Sequence, residues 1–263
     1  VHTETVALDT GSDNSLTLGV RNSGGFSGYL DGSIDEVYVY SSALDAASIQ
    51  VLYAAVTAAP TVTPLPTHVS HSTLLAHYSF DDGTAADDYG SLDGTITGAT
   101  ATTGRDGSGA LSFDGTDDYV EFPSAVTADI QGSSSRTICL WAVIDSFSSD
   151  GGLFDYGTSS DLQNFALRVD GTDGSLRVQL WGVDTDVALS GSDDGGWHHY
   201  CVTYDGSAWY LYFDGSQAAT GTDAVNTGSD RALRLGQWNN EGYLDGAIDE
   251  VYVYSSALDA ASI

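Results

Sequence analysis

Gly196–Gly215 reads GWHHYCVTYDGSAWYLYFDG. In its second half Trp209, Leu211 and Phe213 fall on one side of an extended chain, with Tyr210 and Tyr212 on the other, because strand side chains alternate. Asp205-Gly206 and Asp214-Gly215 close the two runs with residues that tolerate positive φ. Upstream, Leu176, Val178 and Leu180 alternate with Arg177, Gln179 and Trp181, and Phe165, Leu167 and Val169 repeat the period. Further Asp-Gly pairs begin at positions 31, 93, 114, 170 and 245. Short alternating runs between such turns predict an all-β protein of two packed antiparallel sheets. A turn or two of helix is expected only in Ser256–Ile263.

Composition narrows the partners. The 263 residues are 41% hydrophobic, which is globular. Thirty-seven acids face seven basic residues, all arginine, for a formal charge of −30. Such a chain repels phosphate backbones and anionic lipid, so nucleic-acid binding is excluded as a function class. Either divalent cations or high salt offset the self-repulsion, or the acids form a solvated surface that keeps the protein soluble. No apolar run approaches the ~20 residues of a membrane helix, so no membrane insertion is expected.

A repeat organises the chain. Gly28–Ile49 reads GYLDGSIDEVYVYSSALDAASI and Gly242–Ile263 reads GYLDGAIDEVYVYSSALDAASI, differing only at Ser33 and Ala247. Residues 1–49 are therefore expected to be the C-terminal strands of a preceding domain, and 73–263 a complete one. The linker, residues 50–72, holds Pro60, Pro64 and Pro66, which favour an extended spacer. Its Thr57, Thr61, Thr63 and Thr67 are candidate O-glycosylation sites. Residues 1–49 alone would expose apolar faces and unpaired edges. Their core is expected to be completed by upstream sequence or by a neighbouring copy.

The motif Gly196–Gly206 with Trp209–Gly215 resembles the laminin-G-like segment W-H-H-x-x-V-T-Y-D-G followed by L-Y-x-D-G. Leu111–Pro123 (LSFDGTDDYVEFP), Tyr78–Gly83 (YSFDDG) and the closing LDGAIDEVYVYSSALDAASI are similar to other strands of the laminin-G-like and pentraxin-like family, in the same order. The resemblance implies the concanavalin A-like jelly roll. It also implies a disulfide between Cys139 and Cys201, in keeping with an even cysteine count in a secreted-looking chain.

The resemblance suggests sites as well. Pentraxin-like domains hold calcium in rim loops, here GQWNNEG at 236–242 with Asp161, Gln163 and Asn164, but Trp238 stands where an acid is expected and Leu162 displaces another ligand. A structural calcium is the other candidate, with Asp81, Asp82, Asp87 and Asp88 approaching Asp245 or Asp249 to supply the oxygens calcium prefers. The competing reading is surface acids with no ion. Glycan binding through exposed aromatics points to Trp238, Asn239, Asn240 and Tyr243, with Trp181 and Tyr156 as further rings. Tryptophans in sandwiches are more often core than contact, and the first copy has Val20-Arg21-Asn22 at the rim instead.

Catalysis finds little support. Glycosidases on this fold place two acids across a cleft, whereas the chain has five glutamates and no Glu-x-Asp-x-x-Glu strand. Asp249 and Glu250 are neighbours that simple alternation sends to opposite faces. His198, His199 and Cys201 suggest a thiol catalyst only if Cys201 is not in a bridge. The leading expectation is a non-enzymatic extracellular structural or adhesive protein, in which copies of itself form a filament or long array. The alternative is a carbohydrate-binding module of a larger secreted protein.

Overall fold

The computed structural model describes residues 20–23, 26–29, 73–188 and 195–263. The chain divides into two compact units, Val1–Pro66 and Thr67–Ile263. In the first, β1 (Val20–Ser23) pairs antiparallel with β2 (Phe26–Tyr29). The rest of the expected 1–49 fragment, the 50–72 linker and Thr57, Thr61, Thr63 and Thr67 lie outside the described residues.

The second unit is a sandwich of two antiparallel sheets. One has seven strands in the order β12 (Thr185–Val187), β11 (Ser175–Gln179), β10 (Asn164–Asp170), β9 (Gly151–Gly157), β16 (Arg231–Leu235), β7 (Tyr119–Glu121) and β4 (Thr95–Thr97). The other has eight: β15 (Ser216–Gly221), β14 (Trp209–Phe213), β13 (His198–Tyr204), β8 (Arg136–Ile144), β19 (Asp245–Tyr254), β6 (Gly109–Asp114) and β5 (Thr100–Thr103), with β3 (Leu74–Tyr78) also beside β19. The long β19 has β8 along one side, while β6 and β3 divide the other. β16 next to β9 and β19 next to β8 are long-range pairings, so crossovers tie the two sheets together.

Alternation builds the core. Tyr200, Val202 and Tyr204 of β13 and Trp209 and Leu211 of β14 point inward. They meet Phe165, Leu167 and Val169 of β10 and Leu176 and Val178 of β11 from the facing sheet. Each fully buried large apolar side chain contributes about 1.5–3 kcal/mol relative to exposure. The outward residues Cys139 and Cys201 are direct cross-strand partners on β8 and β13, and they form the expected disulfide.

Two local expectations change. The helical element is a 3-10 turn at Ser124–Ile130, while residues 259–262 form only turns. The 3-10 segment is pinned by Arg136, which is fully buried. Its guanidinium donates to the carbonyls of Ile130 and Gly132, to the Tyr156 hydroxyl at 2.9 Å and to Thr227 Oγ1 at 2.6 Å. Carbonyl and hydroxyl oxygens thus take the place of a counter-ion. The second change is at Asp249 and Glu250, which share the outer face. A bulge with Glu250 at φ 49° lets both face outward while Ile248 and Val251 remain in the core.

Candidate functional site

On the outer face of the seven-stranded sheet, alternation brings together residues far apart in sequence. Asp155 of β9 pairs in register with Ala166 of β10 and with Arg234 of β16, and Arg168 of β10 lies opposite Arg177 of β11. Four of the seven arginines gather on this sheet, and each has a carboxylate. Arg168 meets Asp150 at 2.9 Å and Asp170 at 3.3 Å; Arg177 meets Asp170 at 2.6 Å and also Asp186. Arg231 meets Asp155 at 3.3 Å, and Arg234 meets Glu121 at 2.5 Å. Burial pushes the Asp170 carboxyl up, yet hydrogen bonds from Thr172 and the charges of Arg168 and Arg177 outweigh it, holding its pKa below the ordinary value.

A small hairpin lies over this network. β17 (Gln237–Trp238) and β18 (Gly242–Tyr243) are joined by a turn in which the Glu241 N–H donates to the Trp238 carbonyl at 3.0 Å. Asn239 and Asn240 take φ values of 50° and 61°, the consecutive left-handed pair for which asparagine is suited. Underneath, Gly152 leaves room for the Gln237 backbone, which any Cβ at that position would meet. The Asn239 N–H donates to Asp155 at 3.0 Å, and the Trp238 ring covers the Arg168 guanidinium at 4.2 Å. The middle of the sheet is therefore filled by protein rather than open as a cleft.

The accessible part lies at the rim. Trp181, just beyond β11, sits 6.1 Å from Trp238 with their rings tilted by 34°, and both are half-buried. Trp181 is held at φ 67°, a conformation that costs a bulky residue on the order of 1–3 kcal/mol. Asp184 Oδ1 accepts the Trp181 N–H at 2.9 Å, and the Trp181 carbonyl accepts the Leu162 N–H at 3.0 Å. Exposed Asp161 abuts Gly182. Ser159 and Arg231 both donate to Asn239 Oδ1, at 2.8 and 2.5 Å, and Arg234 donates to Asn240 Oδ1. With those oxygens engaged, the two amide groups keep N–H donors for a ligand. Three loops thus supply aromatic surface, amide donors and a carboxylate acceptor within one rim.

The structure gathers Trp238, Asn239 and Asn240 with Trp181. Tyr243 lies on the return strand opposite Gln237, half-buried. Tyr156 is no rim residue: it points into the core, fully buried and bonded to Arg136. Asn164 is also buried and donates to Asp155 at 2.6 Å. Sequence reasoning missed Arg168 and Asp155 because each acts through partners far away in sequence, and it missed Asp184 although its partners Gln179, Leu180 and Trp181 lie only three to five positions before it.

The acids expected around calcium do not assemble into one cluster. Asp87 accepts N–H groups from His77, Tyr89 and Leu92, Asp88 accepts that of Ser79, and Asp82 is engaged by Thr84. Asp81 accepts the Gly109 N–H, and Asp249 accepts that of Arg105. Asp245 lies in register with Asp114. Among the described residues, the acids whose oxygens come within reach of a common ion are Asp114, Asp117 and Asp118.

The comparisons agree with this fold. A family model described as "Concanavalin A-like lectin/glucanases superfamily" matches residues 114–263. Domain 4 of AbnA, an extracellular arabinanase of Geobacillus stearothermophilus solved with arabinotriose, superposes with a TM-score of 0.58 at 24% identity, covering 72% of this chain and 96% of that one. The binding domain of Paraclostridial Mosquitocidal Protein 1 gives 0.57 at 15% identity, covering 72% and 50%. A structure of botulinum neurotoxin type C, whose cell entry is dependent upon interaction with two ganglioside molecules, gives 0.55 at 13%, covering 72% and 49%. This chain spans about half the length of the two toxin chains. No curated protein sequence matches. At these identities the likeness is one of fold, and the fold is the concanavalin A-like jelly-roll sandwich.

Proposed function

Because the chain belongs to the concanavalin A-like lectin/glucanases superfamily, we propose that its second unit is a non-catalytic carbohydrate-binding module of an extracellular protein. One observation carries the reading: Trp181 is held in a strained backbone conformation beside Trp238, which is itself backed by Arg168. Strain maintained at a half-buried aromatic is the preorganisation expected of a flat surface for the apolar face of a sugar ring. Asn239, Asn240 and Asp161 supply hydrogen-bonding groups around it. A structural relative solved with arabinotriose supports this class of ligand. The disulfide suits an oxidising compartment.

Lack of catalysis rests on the engagement of the acids. Hydrolysis requires one protonated and one ionised carboxyl across an open cleft. On this sheet Asp155, Asp170 and Glu121 are committed to arginines beneath or beside the hairpin. Glycan-array screening of the full chain tests the proposal: the expected result is binding to a defined set of glycans, abolished in Trp181→Ala, with no release of reducing sugar. Binding unchanged by that substitution would move the site elsewhere.

The near-identity of 28–49 and 242–263 favours a second role, in which copies of the sandwich form an array. Electron microscopy should then reveal rods with a regular domain spacing, and compact isolated particles would remove that reading.

A further inference from the structure

We propose that the sugar taken at the Trp181–Trp238 rim is uncharged, and that glycans bearing carboxylate or sulfate groups are rejected there; this rests on the carbohydrate-binding reading above. The sequence contains no lysine, so arginine is its only permanently charged cationic side chain. Arg168, Arg177, Arg231 and Arg234 share the sheet beneath the rim, and every one of them is already matched to a carboxylate of the protein. Arg105 lies over Trp141 of β8, and Arg136 is buried among Phe165 and Tyr204. Among the described residues, the histidines His77, His198 and His199 belong to β3 and β13 of the other sheet.

Among the described residues, a cation at this rim is available to an acidic sugar only by displacing a protein carboxylate. Taking Arg231 would strip its charge partner from Asp155, which is 3% exposed and also holds the Asn239 N–H and the Asn164 amide. Removing one partner of a buried ion pair costs more than the pair contributes. Asp161, Asp184 and Glu241 add negative charge around the same rim. A neutral sugar meets neither obstacle: its hydroxyls can donate to Asp161 and accept from the Asn239 and Asn240 amides. Selectivity comes from the repulsive element as much as from the attractive one.

The test is calorimetric titration of the full chain with a neutral oligosaccharide selected on the array, and with the same sugar carrying one sialic or uronic acid. Both are run at low and high salt, with EDTA and with calcium. The acidic form is expected to bind at least about tenfold more weakly at low salt, with the gap narrowing as salt screens the repulsion. Equal or tighter binding of the acidic form, with or without calcium and lost in Trp181→Ala, would overturn the selectivity while leaving the module. A gap unchanged by salt would assign the discrimination to shape and overturn the electrostatic account. Absence of binding by either sugar would overturn both.

Discussion

At Asp249, burial pushes the carboxyl up to about 6; the Arg105 N–H opposes the rise and the charge of Glu250 adds to it. Glu250 exerts that effect from the same face because of the bulge. Burial pushes His199 down to about 4, with Asp214 opposing and Arg105 assisting. The two act in opposite directions on stability. Asp249 in the folded state binds its proton more tightly than at its ordinary 3.8, so stability falls as pH rises from about 4 through 6. His199 binds its proton less tightly than at its ordinary 6.5, so stability falls as pH drops from 6.5 towards 4. In the native chain these slopes partly cancel. Urea midpoints across that range should show Asp249→Asn losing stability on acidification more steeply than the native protein, and His199→Gln less steeply. Each difference should be on the order of 2–3 kcal/mol, and parallel profiles for all three proteins would refute the assignment. None of this was legible in the sequence, because IDEVYVY reads as unbroken alternation and nothing local announces the extra residue.

The elements divide into those that a local window reveals and those that it does not. β10, β11, β13 and β14 follow from their period of two, since one face of each is committed to a single core. The β17–β18 turn is half legible: Asn239-Asn240 signals left-handed backbone, but its placement over β9 depends on Gly152, 87 positions before Asn239. The arginine–carboxylate network was hidden for the same reason, since all its pairs but Arg168–Asp170 join separate strands or loops. Gly152→Ala should therefore act on the hairpin. A Cβ there displaces the Gln237 backbone, at a stability cost of about 1–3 kcal/mol. Glycan affinity should drop at least about tenfold, since a misplaced positioning element weakens every contact it carries. Native affinity in this variant, measured well below its unfolding transition, would separate the hairpin from binding.

For the whole molecule, the charge is −30; among the described residues the acids lie mostly at turns, while the arginines concentrate on one sheet and in the core. The Cys139–Cys201 bridge, 62 residues apart in sequence, further limits the unfolded chain. Its reduction should lower unfolding free energy by up to about 4 kcal/mol on the chain-entropy account, read as a shift in urea midpoint between oxidised and reduced protein. An unshifted midpoint would show that the two sheets hold without it. The central claim concerns where a sugar sits, and a crystal structure of the protein soaked with its strongest neutral array ligand tests that most directly. The account predicts a sugar ring against Trp181, with Asn239, Asn240 or Asp161 within hydrogen-bonding distance. A sugar on the eight-stranded sheet, or at the Asp114–Asp118 turn, would contradict it.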